Sequence, residues 1–172
     1  HALELPQPDQ NLLRQDLELY KFINEQIKQT VQWIQESLKE NRYHNIIKSI
    51  TGFGPILSAL VALEIDTIDR FPHPGKLSAS AGLAPTTYAS GGKVFHGDLL
   101  PQCNRWLRYA FIEASWVAAT HSPYFRGLYL RMKQKKSVNT AIVAVARRLS
   151  EVTYCCLKEN RYYEERPYKL FG

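Results

Sequence analysis

Apolar and polar positions divide the chain into a long amphipathic stretch, an irregular middle and two flanking runs of helical pattern. Residues 11 to 41 hold no Gly or Pro, and Leu13, Leu17, Tyr20, Asn24, Ile27, Val31, Ile34 and Leu38 recur at alternating spacings of four and three. This is the heptad seam of a coiled coil, with Asp9 or Asn11 able to cap the helix. Asn24 is the one polar seam position, a device that fixes register and oligomer state at some cost in stability. The other faces carry Arg14, Asp16, Glu18, Lys21, Glu25, Lys28 and Glu36, as a solvated coiled coil requires. The plainer reading is an amphipathic helix packed on its own domain.

The next stretch, 42-RYHNIIKSITGFGPILSALVALEI-65, reads as a short helix, a turn at Thr51-Gly52-Phe53-Gly54 and an apolar helix opening at Pro55. Pro suits a first helical turn, and Gly allows positive φ and close backbone approach. Ile50, Ile56, Ala59 and Leu60 fall where the two helices would pack. The pattern is that of a helix-hairpin-helix, in which Gly52 and Gly54 let amides at a helix amino end meet a nucleic-acid phosphate. An ordinary helical turn is the alternative.

Residues 66 to 101 are broken by Pro72, Pro74, Pro85, Pro101 and five glycines. A short helix over residues 76 to 81 ends at Gly82, and residues 86 to 95 form a hairpin or an open loop around Ser90-Gly91-Gly92. Helical pattern resumes at Asn104, with Trp106, Leu107, Tyr109, Ala110, Ile112, Ala114 and Val117 as its apolar face and Arg105 and Arg108 three apart beside it. A closing helix over residues 139 to 160 buries Ile142, Val143, Val145, Ala146 and Leu149 and shows Arg147 and Arg148. Between these helices lies 131-RMKQKKS-137, a connection whose Arg131, Lys133, Lys135 and Lys136 can clamp a nucleic-acid backbone. The expected fold is all-α: a linker over residues 1–10, a coiled-coil helix over 11–45, a helical domain over 46–160 with the hairpin motif and an irregular Ser-Gly-Gly loop, and a tail over 161–172.

Charge sharpens this picture. Residues 91 to 150 hold ten Lys/Arg against Asp98 and Glu113, within a chain of net charge +6. Positive charge concentrated in this way steers polyanions and releases their counterions, as a nucleic-acid partner would require; a solvated basic face is the alternative, and charge alone leaves both open. No apolar run reaches the roughly 20 residues that span a bilayer, and no signal peptide opens the chain. The expected location is cytoplasmic, at the nucleoid when bound to DNA, with no membrane partner. The one methionine is Met132, so His1 is not a translation start and reads as a tag remnant on a piece of a longer protein. The three cysteines lack zinc-site spacing and read as reduced thiols.

No metal is expected on these residues, because no carboxylate cluster, paired-His spacing or phosphate-binding glycine loop stands in the sequence. Ser90 is the one open nucleophile, with Ala89, Gly91 and Gly92 around it. Attack on a phosphodiester would need its proton removed and cations to steady the phosphate, a need that Lys93, Arg105 and Arg108 can meet. His96 is close in sequence as a base. By spacing alone, Ser-Gly-Gly is first a turn.

Four ordered blocks change that balance: SITGFGPILSALVALEI, FPHPGKLSASAGLAPTTYASGGKVFHGD, NRWLRYAFIEASWVAAT and NTAIVAVARRLSEVTY. Together they resemble the carboxy-terminal domain of transposases of the insertion sequence 110/116/902 family, related to the Piv invertase. The resemblance implies that Ser90 attacks DNA and becomes joined to it. It also implies an amino-terminal RuvC-like domain holding divalent metal, magnesium, that has no counterpart here. Implied partners are DNA, a bridge or guide RNA, and further copies of the chain in a dimer or tetramer. The sequence departs from the family where Pro101-Gln102-Cys103-Asn104 replaces a Lys-Arg-Gly-Asn run, keeping Asn104 and Arg108. On this reading the isolated chain binds nucleic acid without cutting it. The alternative is a non-catalytic helix-hairpin-helix binding and dimerisation module.

Overall fold

The structure, a computed structural model, describes residues 6–90, 93–99 and 103–165, with the segments 85–90 and 93–99 described by their backbone alone. The expectations placed on His1, on the side chains of Ser90, Lys93, His96 and Asp98, on Gly91-Gly92 and Pro101-Gln102, and on residues 166–172 lie outside the described residues. The chain divides after Ser37 into two units.

The first unit is one helix, α1 (Gln7–Ser37). It begins ahead of the expected start, with Pro8 tolerated in the first turn and Asp9 inside the helix rather than capping it. There the carboxylate still favours the positive end of the helix dipole. Leu13, Leu17, Tyr20 and Ile27 of the heptad seam are exposed. Asn24 is half-buried and its Nδ2 donates to Tyr20 O at 2.9 Å, one turn back. The helix ends at Ser37, where the expected pattern continued; residues 38–40 turn, and Asn41 starts a new helix by accepting from His44 N. That cap, absent from the apolar pattern, is the reason for the break.

The second unit runs α2 (Arg42–Lys48), α3 (Pro55–Ile65), a 3₁₀ turn (Ile68–Arg70), α4 (Pro74–Ser80), β1 (Pro85–Ser90), β2 (Lys93–Leu99), α5 (Arg105–His121), α6 (Pro123–Lys133) and α7 (Val138–Lys158). The all-α class holds, with one antiparallel hairpin, β1–β2, supplying the strands among the described residues. The helical stretch expected between Asn104 and the basic connection is two helices. Ser122 closes α5 and caps α6, its Oγ accepting from Phe125 N at 3.2 Å, and Pro123 opens α6.

Helix α7 is the centre, touching α2, α4, α5 and α6. Ala141, Ile142, Val145, Ala146, Leu149 and Leu157 are buried along it, as the 3.6-residue period demands. Ser78 and Ser150 hydroxyls meet at 2.7 Å between α4 and α7, so this polar pair is satisfied inside the core. On α5 the buried positions are Leu107, Ala110, Phe111, Ala114, Ser115 and Ala118. Trp106, Tyr109 and Val117, expected in the apolar face, are exposed because they fall off that period. Phe111 meets Phe53 of the α2–α3 turn edge to face at 5.8 Å, which seats the turn on α5.

Candidate nucleic-acid interface

The α2–α3 turn is built as the sequence expects, but its two glycines do different work. Gly52 has φ +111, and a Cβ there would stand 2.3 Å from the Ala114 carbonyl oxygen of α5. It is therefore a packing glycine, pressed against α5 backbone. Gly54 has nothing within 4 Å of a Cβ and is exposed, at the amino end of α3 with no side-chain cap. A helix amino end is the positive pole of its dipole, where an anion is favoured, although Pro55 at the first position contributes no N–H.

Two residues that sequence spacing did not single out hold this turn. Ser58 Oγ donates to Gly54 O at 2.8 Å, and His44 Nδ1 lies 3.2 Å from the same hydroxyl. With the hydroxyl proton directed at Gly54, His44 Nδ1 donates to Ser58, so α2, α3 and the turn share one network. Burial, and then the charge of Lys48, lowers the His44 pKa from its ordinary value.

Ser90 is the last residue of β1 and pairs with Lys93, the first of β2, across residues 91–92. The helical ends that flank this hairpin are stitched together. Asn104 N donates to Ser80 O at 2.8 Å, and the Asn104 side chain caps α5 by accepting from Trp106 N and Leu107 N at 3.0 Å. Its Nδ2 donates to Glu64 Oε2 of α3 at 2.6 Å. Arg108 donates from Nη2 to Gly82 O at 3.1 Å and from Nε to Ala81 O at 3.4 Å. Gly82, at φ +64, ends α4 with the paired bonds Gly82 N to Ala79 O and Leu83 N to Ser78 O. Asn104 and Arg108, read as nucleic-acid contacts from sequence, are thus bonded to α3 and to the end of α4, at the helix ends that flank the Ser90 hairpin in sequence.

The other expected cations are placed differently. Arg105 is exposed at the start of α5, Arg131 and Lys133 lie in the last turn of α6, and Lys135 and Lys136 are exposed beyond it. Cations at a helix carboxyl end complement its dipole, so the cluster has a structural use as well. Lys133 Nζ lies 5.8 Å from the Tyr129 ring centre. Among the described residues, none of Arg105, Arg131, Lys133, Lys135 and Lys136 forms an ion pair. Arg147 and Arg148, by contrast, both reach Glu151. Cys103, Cys155 and Cys156 are not joined in disulfides. No group of three His, Cys, Asp or Glu able to hold a metal occurs among the described residues, and no described helix is long and apolar enough to cross a membrane.

Residues 44–130 match the family model described as Transposase IS116/IS110/IS902 family. The chain is 27% identical over 146 residues to the insertion element IS116 uncharacterized 44.8 kDa protein of Streptomyces clavuligerus, a match covering 84% of this chain and 37% of that one. Its identity to the insertion element IS110 uncharacterized 43.6 kDa protein of Streptomyces coelicolor is likewise 27% over 146 residues, 84% of this chain and 36% of that one. The pilin gene-inverting protein of Moraxella bovis is 27% identical over 129 residues, 73% of this chain and 40% of the relative. The chain therefore spans little more than a third of the length of these relatives. With half of its residues inside the family model, the chain belongs to the Transposase IS116/IS110/IS902 family.

Proposed function

We propose that this chain is the DNA-handling part of a transposase, gripping the phosphate backbone and supplying Ser90 as the nucleophile of strand exchange. The observation that carries this reading is the Ser90 hairpin itself. Ser90 and Lys93 pair across it, and the helix ends that flank it in sequence are joined, Asn104 to Ser80 and Arg108 to Ala81 and Gly82. Joined flanking helices hold the two ends of the hairpin close together, which limits where its serine can meet a phosphorus. In the proposed step the Ser90 oxygen forms a bond to phosphorus while the bond from phosphorus to one strand oxygen breaks. The serine proton passes, over the step, to that departing oxygen. A hydroxyl of a second strand then attacks the serine ester and releases Ser90.

Backbone contact falls to Gly54 at the α3 amino end and to Arg105, Arg131, Lys133, Lys135 and Lys136. The described residues do not fit a metal site, so divalent metal belongs, on this reading, to an acidic domain elsewhere in the transposase. The nucleic-acid partners are DNA and a guide RNA. The heptad seam of α1, exposed at Leu13, Leu17, Tyr20 and Ile27, pairs with a second copy, and removal of residues 1–37 should leave a monomer in sedimentation equilibrium.

The test is Ser90→Ala in the full-length transposase. Loss of a covalent protein–DNA adduct with binding retained supports the nucleophile; unchanged recombination removes Ser90 from the reaction. A second reading, a binding module without covalent chemistry, is favoured by the position of Ser90 directly before Gly91-Gly92, which turn formation alone explains. The same variant separates the two.

A further inference from the structure

The tail beyond α7 returns to the hairpin. Asn160, at φ 52, reverses the chain with the paired bonds Asn160 N to Leu157 O and Arg161 N to Cys156 O. Arg42 of α2 then grips the strap, donating to Asn160 Oδ1, Asn160 O and Tyr162 OH at 2.9 Å each. Tyr163 N donates to Ser49 Oγ at 2.9 Å. The strap brings Glu165 to a corner where two elements meet: its Oε2 accepts from Thr51 Oγ1 of the α2–α3 turn at 3.2 Å, and its Oε1 from Ser122 Oγ at 2.5 Å. Ser122 caps α6, so the carboxylate also faces the positive end of an 11-residue helix. Burial and the Glu165 charge push the neighbouring Tyr163 phenol well above its ordinary pKa.

We propose that this corner is a seat for a nucleic-acid phosphate and that Glu165 fills it as an internal competitor, so that strap docking and backbone binding exclude each other. The inference rests on the reading of the α2–α3 turn as a phosphate-binding hairpin. A carboxylate and a phosphodiester are both anions with two outward oxygens, and both accept from the same hydroxyls and the same helix end. A strand bound at Gly54, three residues from Thr51, would meet the charge of Glu165 directly. The strap is held by Tyr163, half-buried against the core, and by polar bonds on either side of it. A cleft of ≈ 260 Å³ lies along it, lined by Tyr124, Arg148, Glu151, Cys155, Arg161 and Tyr163 among others. Its anchors to Arg42 and Thr51 are exposed polar bonds, which are individually weak.

The test measures binding of a short fluorescein-labelled DNA duplex to the 172-residue chain by anisotropy at low salt. Glu165→Gln keeps the size and hydrogen-bonding reach of the side chain and removes its charge. It should tighten binding about 3- to 10-fold, by removing the fraction of molecules in the blocked state. Glu113→Gln, the same charge change on exposed α5 surface, controls for net charge and should shift affinity less than about twofold. Gly54→Glu, which puts a carboxylate at the open α3 end, should weaken binding in either background. In the unaltered chain, exchange of the Tyr163 amide should accelerate when DNA binds; this readout needs no variant. If Gly54→Glu weakens binding while Glu165→Gln matches Glu113→Gln and Tyr163 exchange is unmoved, the competitor is overturned and the hairpin reading stands. Binding that ignores Gly54→Glu, or no binding, overturns the hairpin reading and the seat with it.

Discussion

Replacing Gly52 by Ala tests whether the α2–α3 turn owes its shape to α5. At φ +111 an L-residue is strained by about 1–2 kcal/mol. The new Cβ would also stand 2.3 Å from Ala114 O and 3.2 Å from the Ala118 Cβ. Ala114 O belongs to a helix backbone that cannot rotate away, so the turn must lift off α5 and loosen the Phe53–Phe111 contact. Overpacking of this kind costs about 1–3 kcal/mol, giving about 2–5 kcal/mol in all. With a urea m-value of about 1–3 kcal/mol/M, the middle of both ranges lowers the unfolding midpoint by roughly 2 M. Gly54→Ala is the internal control: φ is −84, nothing lies within 4 Å, and the change should stay within about 0.5 kcal/mol. Equal midpoints for the two variants would refute the assignment of Gly52 to packing.

The remaining expectations concern other parts of the same unit. His44 has a folded pKa below its unfolded value of 6.5, so its neutral form is the folded one; stability should be fullest above pH 6.5 and decline as pH falls through 6.5 toward the folded value. Urea midpoints across that window should show the decline, and His44→Gln should flatten it. Asn104→Ala removes the α5 cap and the partner of Glu64, and should cost about 1–2 kcal/mol in thermal melts, while Asn104→Ser should recover most of the capping. Lys135→Ala and Lys136→Ala should each reduce the slope of log affinity for duplex DNA against log salt by about 0.9 if each neutralises a phosphate. Their unfolding midpoints should not change.

How far these roles could be read from sequence depends on the range of the force that sets them. Two local signals carried well: Pro55 opens a helix and Gly82 closes one, because each acts within one turn of its own backbone, whereas the equally local Asn104 cap and the Ser122-Pro123 start of α6 went unread. The buried face of α7 was legible from its period. What else stayed hidden is long-range. Nothing in the residues around Gly52 announces Ala114, and the partner of Ser58, His44, lies in another helix. Arg108 looked like a phosphate contact because a cation near a serine hairpin suits one. Its carbonyl partners at Ala81 and Gly82 are fixed only when α4 packs beside α5. The meeting of Glu165 with Ser122 had no signal, since it depends on a tail that doubles back.

The distribution of bonded and unbonded cations sharpens what a DNA strand can touch. A guanidinium that already donates to two backbone carbonyls has spent much of its donor capacity, and moving it would part the helix ends that flank the hairpin in sequence. Arg108 is therefore poorly suited to give sequence-independent affinity, and Asn104, capping α5 and bonded to Glu64, is equally committed. Free charge lies instead at Arg105 and at the carboxyl end of α6. Since α6 has 11 residues, the Arg131 to Lys136 cluster stands roughly 16 Å along the helix from Ser122 and the corner that Glu165 fills. Phosphates of one strand advance about 3.4 Å each along the duplex axis, so a duplex seated at the corner and lying along α6 would reach the cluster about five phosphates on. On the proposed reading, contact at the corner and contact at the cluster would be parts of one binding event. Freeing the corner should raise the salt slope as well as the affinity, whereas a charge change outside the strand's path should leave the slope where it was.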